Sequence, residues 1–119
     1  SAMGKDLVPG FSYSPSCNFD LLRKFVDKCP DAHVGGITSN DYFYQPNKDW
    51  WKHCQKYNIL AVEMETYMLY ALAAEYNRKA LSVNTVSDHL DPNWLDRKNL
   101  SPKQRETGFK QMINCVLEL

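Results

Sequence analysis

The stretch NILAVEMETYMLYALAAEYNRKALSVNTVSDH, Asn58 to His89, decides the fold. Its first six residues, Asn58–Glu63, are a short extended candidate of strand length. From Glu65 to about Asn77 the composition changes to strong helix formers, with Met68, Leu69, Leu72 and Tyr76 on a packing side. In Ala80–Val86 the side chains Leu81, Val83 and Thr85 alternate against Ala80, Ser82 and Asn84, the period of a second extended segment. Strand, helix and strand in this order predict an α/β fold rather than a bundle or a sandwich.

The flanks extend the alternation. Asn18 is placed to cap a helix whose stripe is Leu21, Leu22, Phe25, Val26 and Cys29, ending at Pro30. His33–Thr38 is a further extended candidate. Asn47, after Pro46, is placed to cap a short helix carrying Trp50, Trp51, Cys54 and Tyr57. Ser101-Pro102-Lys103-Gln104 joins a capping-box pattern to Pro at the first helical position, and Phe109, Met112, Ile113, Val116 and Leu117 follow at helical spacing. The expected class is therefore α/β, a mixed sheet flanked by helices. Ligands in such sheets gather where strands end. Those positions are heavily polar or aromatic: Ser39-Asn40-Asp41-Tyr42-Phe43-Tyr44, Glu63-Met64-Glu65 and Ser87-Asp88-His89. His33-Val34-Gly35-Gly36 is too short for a phosphate-cradling glycine loop or a dinucleotide fingerprint.

Composition narrows the function classes. The 119 residues carry 14 Lys+Arg against 14 Asp+Glu, so there is no electrostatic footprint for nucleic acid or an anionic membrane. No apolar run approaches the ~20 residues of a membrane span, and the N-terminus lacks signal-peptide regions. Residues 1–4 read as a cloning scar and 5–119 as a single α/β domain, with enough chain to bury roughly two thirds of its unfolded surface. Cys17, Cys29, Cys54 and Cys115 show no close Cys/His spacing, so no zinc or dithiol motif is supported, and reduced thiols in a cytoplasm are expected. His33, His53 and His89 are too scattered for a metal site. Trp50-Trp51 reads as helix-to-sheet packing.

The run AVEMETYMLYALAAEYNRKALSVNTVSDHL, Ala61 to Leu90, resembles the signature region of the bacterial hexameric purine nucleoside phosphorylases. Upstream, HVGGITSNDYFYQPN resembles that family's Ser-x-Asp-x-Phe-Tyr loop. Downstream, Gln104-Arg105-Glu106 with Phe109 and Met112-Ile113 resembles its C-terminal helix. The resemblance covers Phe19 to Leu117, and V-E-M-E followed at family spacing by T-V-S-D is specific. Family members are about twice this long, and the chain resembles their C-terminal half only. The other half carries the glycine loop and arginines that hold phosphate, and the His and Arg lent to a neighbouring subunit. The loop after Asp88 is longer than the family's.

Phosphorolysis breaks the bond between the purine nitrogen and the ribose anomeric carbon as phosphate attacks. Positive charge develops on the sugar and negative charge on the departing base, so the site must stabilise the first and protonate the second. The resemblance makes Asp88 the general acid at the purine N7, with Arg105 as the cation that assists proton delivery. It makes Glu65 the acceptor of the ribose 2′ and 3′ hydroxyls, sets Glu63 and Met64 in the sugar site, and assigns the base pocket to Phe43, Val62 and Ser87. It implies purine nucleoside and inorganic phosphate as substrates, no metal or organic cofactor, no nucleic-acid or membrane partner, a homo-oligomer and a cytoplasmic place in purine salvage. Without the resemblance, Asp88 reads as a cap, Arg105 as a solvated first-turn residue, Met64 as core, Tyr42-Phe43-Tyr44 as a strand-edge cluster, and Glu65 as a helix-start carboxylate worth ~0.3–1 kcal/mol through the macrodipole. A uridine phosphorylase, a thioadenosine nucleosidase, and a non-catalytic nucleoside-binding or self-associating remnant are the alternatives. Half a sheet leaves an unpaired edge that favours self-association, and the short chain alone is expected to turn over little or no substrate.

Overall fold

The computed structural model describes residues 9–91 and 100–119. The scar reading of residues 1–4 and most of the insert between His89 and Leu100, with Trp94, lie outside them. Helix α1, Phe19–Lys28, starts as the sequence predicts: the Asn18 Oδ1 accepts from the Leu21 N–H at 3.1 Å. Its Phe25 is buried, and the Cys29 N–H closes the helix on the Phe25 carbonyl at 2.8 Å.

Strands β1, Gly36–Ser39, and β2, Ile59–Glu63, form a two-stranded parallel sheet. Ile37 pairs with Ala61, Thr38 with Val62 and Ser39 with Glu63, after an irregularity between Gly36 and Ile37. Parallel strands require a crossover, and the chain between them supplies helix α2, Trp50–Lys56, which packs against β2. The cap expected at Asn47 falls instead on Asp49. Asn47 Oδ1 accepts from the Asp49 N–H at 3.0 Å, so its side chain shapes the turn leading into the helix. Asn58, at φ 55, then turns the chain into β2 in the left-handed region that Asn tolerates.

Helix α3, Thr66–Glu75, packs against β1. Helix α4, Pro102–Leu117, carries the full predicted capping box: the Ser101 Oγ accepts from the Gln104 N–H at 3.2 Å, and the Gln104 Oε1 accepts from the Ser101 N–H at 2.8 Å. The third predicted strand, Ala80–Val86, does not join the sheet. Two of the groups a ladder would use are taken elsewhere. The Ala80 carbonyl accepts from the Asn18 N–H at 2.9 Å, and the Ser82 N–H donates to the Tyr70 hydroxyl at 2.9 Å. The segment is thereby tied to α1 and α3 instead of to a neighbouring strand.

The thiol expectation is also corrected. Cys29 and Cys115 are joined in a disulfide across 86 residues, with their Cα atoms 6.3 Å apart, linking the end of α1 to α4. Cys17 and Cys54 stay free. Connectivity of this kind is set by which helices pack together, α1 against α4, and sequence spacing does not carry it. Among the described residues the buried apolar side chains are Phe25 and Ala71, each keeping a few per cent of exposure. Most of the large apolar side chains of α3 and α4 keep substantial exposure, Met68, Leu69, Leu72, Phe109 and Ile113 among them. No described helix is long and apolar enough to cross a membrane.

Candidate functional site

The carboxyl ends of β1 and β2 lie side by side, and the chemistry-bearing residues of the second strand end are fixed there by a hydrogen-bond bracket. Ser39, at the end of β1, donates its hydroxyl to the Glu63 carboxylate at the end of β2, while its oxygen accepts from the Tyr67 N–H at 2.9 Å. The other Glu63 oxygen accepts from the Glu65 and Thr66 N–H groups, both at 2.6 Å. These donors are the open amides at the start of α3, where a carboxylate is also favoured by the helix dipole. Burial on its own pushes the Glu63 carboxyl upward, but the bonds from Ser39, Glu65 and Thr66 outweigh it and hold the carboxyl below its ordinary range. Glu63 thus caps the start of α3. Glu65 occupies the N-cap position, yet its side chain makes no capping bond.

The bracket sets the conformation of the turn between β2 and α3. Met64 and Glu65, held between the strand and the helix, keep exposed side chains; Met64 is 42 % exposed. Val62 is half-buried in β2 beside Thr38. On the β1 side, Phe43 and Tyr44 follow the strand in an exposed segment with their rings edge to face at 5.0 Å, and Phe43 is 79 % exposed. These aromatics touch one another and project into solvent.

The third group of expected residues sits on the segment behind α3. Ser87 donates to Asp88 Oδ2 at 2.7 Å, and Asp88 is exposed. Arg105 is half-buried near the start of α4, where its Nε donates to the Leu100 carbonyl at 3.1 Å. The ion pairs among the described residues do not include one between Asp88 and Arg105. Glu63, Met64 and Glu65 are therefore brought together on one turn, with Val62 in the strand leading to it. The pair Asp88 and Arg105 is not joined by direct contact. An open hollow of about 490 Å³ lies at the other end of α3, lined by Leu69, Leu72, Ala73, Tyr76, Arg78, Lys79 and Ala80, and holds none of the expected site residues. Among the described residues no group of three His, Cys, Asp or Glu side chains is placed to hold a metal ion.

The sequence alone puts Ser39 at a strand end and gives it no role. Its signal is positional: in a parallel pair whose strands stop together, a hydroxyl ending one strand lies beside the carboxylate ending the other. Thr66 and Ser82 escape sequence reading as well. The Thr66 hydroxyl donates to the Ser82 hydroxyl at 2.9 Å, which also accepts from the Asn84 side-chain amide at 3.0 Å, so the start of α3 is bound to the segment leading to Asp88.

Residues 4–114 of the chain match the family model described as the phosphorylase superfamily. The chain belongs to this superfamily. Among the superfamily's curated members, the proteins named purine nucleoside phosphorylase DeoD-type from Bacillus cereus, Bacillus thuringiensis and Bacillus mycoides are each 41% identical to it over 122 aligned residues. Each alignment covers 99% of this chain and 50% of the relative. The phosphorylase-superfamily chain therefore spans about half the length of the curated relatives it matches.

Proposed function

We propose that the chain supplies the nucleoside-binding half of a purine nucleoside phosphorylase, an enzyme that converts a purine nucleoside and inorganic phosphate into free base and ribose 1-phosphate. The observation that carries this reading is the Glu63-Met64-Glu65 turn, fixed at the ends of two parallel strands and presenting an apolar side chain beside an uncommitted carboxylate. A sugar edge with two neighbouring hydroxyls needs such a pair: a floor for the ring and a charged acceptor for both donors. The identity shared with the Bacillus purine nucleoside phosphorylases over nearly the whole chain supports the same reading.

In this mechanism Glu65 accepts the ribose 2′ and 3′ hydroxyls and stabilises the positive charge that grows on the sugar. Met64 packs under the ring. Glu63, whose oxygens are occupied by Ser39 and the α3 amides, acts as a positioning residue for both. Phe43 stacks on the base, in a pocket completed by Val62 and Ser87. Asp88 donates a proton to the purine N7 as the bond to the sugar breaks, and Arg105 approaches to drive that transfer. Phosphate enters as co-substrate, held by residues outside this chain, with no metal or organic cofactor in the cycle. The intact enzyme works as a homo-oligomer in the cytoplasm, in purine salvage.

The test is direct. Calorimetry with inosine or adenosine detects nucleoside binding by the 119-residue chain, and the same titration with Glu65→Ala shows at least tenfold weaker binding. Incubation with inorganic phosphate releases little or no free base. Absence of nucleoside binding, or binding that Glu65→Ala leaves unchanged, overturns the assignment.

A further inference from the structure

The Cys29–Cys115 disulfide lies outside the nucleoside-binding turn, yet it holds the helix that carries Arg105. Cys29 is the residue that closes α1 on the Phe25 carbonyl, and Phe25 is buried, so one end of the bond adjoins a buried side chain. Cys115 lies ten residues beyond Arg105 on α4, roughly 15 Å along the helix at about 1.5 Å per residue. Helix α4, unlike α1, has no buried residue. Its other ties include the close approach of Gly108 to Thr85, where a Cβ would come within 2.8 Å of the Thr85 methyl, and the weak bond from the Thr85 hydroxyl to the Met112 sulfur at 3.6 Å. A helix held this lightly depends on its covalent link.

Of the other two thiols, Cys54 makes a poor competitor for that link. Cys54 is on α2, which packs against β2, and burial pushes its thiol above the ordinary range, so little of the attacking thiolate forms. Cys17 precedes α1 and is half-buried. Cys29 and Cys115 are themselves half-buried, within reach of a small reductant. In a reducing compartment such a bond is usually a sensing or catalytic one rather than a permanent staple.

We infer that Cys29–Cys115 is a redox-operated clamp that fixes α4 to α1 when oxidised and frees it when a dithiol reduces it. The exchange is balanced: the dithiol delivers two electrons and two protons, the S–S bond breaks, Cys29 and Cys115 become thiols, and the dithiol closes to its own disulfide. The consequence for Arg105 and the reducing compartment rest on the proposed phosphorylase reading; the bond between Cys29 and Cys115 does not.

The whole chain is oxidised with oxidised glutathione, alkylated without reduction and analysed by mass spectrometry. Cys17 and Cys54 are labelled and the Cys29 and Cys115 peptides are recovered joined. Amide hydrogen exchange then compares this form with protein treated with dithiothreitol. Exchange across 102–117 rises at least tenfold on reduction, while 66–75 is unchanged. Cys115→Ser shows the fast rate with or without reductant, and Cys29→Ser, which removes the same bond from the other side, serves if the first variant does not fold. Labelling of all four cysteines after oxidation, or equal exchange of α4 in both redox forms, overturns the clamp. Neither readout depends on nucleoside binding, so its failure is separable from failure of the phosphorylase reading.

Discussion

Ser39 and Glu63 end the two parallel strands in register, and the Ser39 hydroxyl donates to the Glu63 carboxylate while accepting from the first turn of α3. One side-chain pair thus ties both strand ends to the start of a helix, the point from which Met64 and Glu65 are presented.

Replacing either member loosens that junction. Hydrogen bonds to a charged acceptor contribute about 1.5–3 kcal/mol each when protected, and partial exposure here reduces this. Glu63→Gln is expected to cost about 1–2 kcal/mol in urea unfolding, and Ser39→Ala about 1 kcal/mol. The pH dependence has a definite sign. The folded carboxyl of Glu63 is held below its ordinary value of 4.5, so its contribution is fully present above that value and is lost as pH falls through the lower folded value. Melting followed from about pH 6 down to about pH 3 shows a fall that is smaller in Glu63→Gln. An equal fall in both proteins contradicts the assignment.

Glu65 behaves differently because its side chain makes no capping bond. Glu65→Gln is expected to leave the unfolding free energy within about 0.5 kcal/mol of the parent, as surface changes usually do, while weakening inosine binding at least tenfold in calorimetry. A stability loss as large as that of Glu63→Gln would assign Glu65 to the helix start instead of to a ligand.

Tyr70 tests the link between α3 and the segment leading to Asp88. Burial pushes its phenol above the ordinary range, and its oxygen accepts the Ser82 N–H. Tyr70→Phe leaves that amide without its acceptor and is expected to cost about 1–3 kcal/mol. Hydrogen exchange at Ser82 should quicken by tenfold or more, while the Leu21 amide held by Asn18 keeps its rate.

Gly108 stands inside α4, where glycine costs about 1 kcal/mol relative to alanine. Its compensation is proximity: a Cβ would lie 2.8 Å from the Thr85 Cγ2, and Thr85 is stiff at χ1. Gly108→Val is expected to destabilise the chain by about 1–3 kcal/mol through overpacking. Combined with Thr85→Ser, which removes the obstructing methyl, the loss should shrink by at least half in thermal melts.

Much of this architecture is legible in the residues. Asn18, and Ser101 with Pro102 and Gln104, declare their helices by short-range hydrogen bonding that depends on neighbours a few positions away. The strand-end location of Glu63-Met64-Glu65 follows from a short extended segment giving way to strong helix formers at Glu65. What escapes is long-range. The alternation in Ala80–Val86 is strand-like, but Tyr70 and Asn18 capture backbone groups there, and no local pattern reports a phenol arriving from a helix. The roles of Ser39 and Thr66 depend on which strand ends align. The pairing of Cys29 with Cys115 depends on the docking of the first helix against the last. Nucleoside roles for Asp88, Arg105 and Phe43 come from resemblance to a family, since an exposed aspartate or aromatic carries no such information by itself.

The bond between Cys29 and Cys115 also makes most of the polypeptide a covalent ring spanning 86 positions, with tails on either side. A protease that nicks the backbone once at any peptide inside that ring leaves a molecule of undivided mass. Only after reduction do the two pieces migrate apart on a denaturing gel.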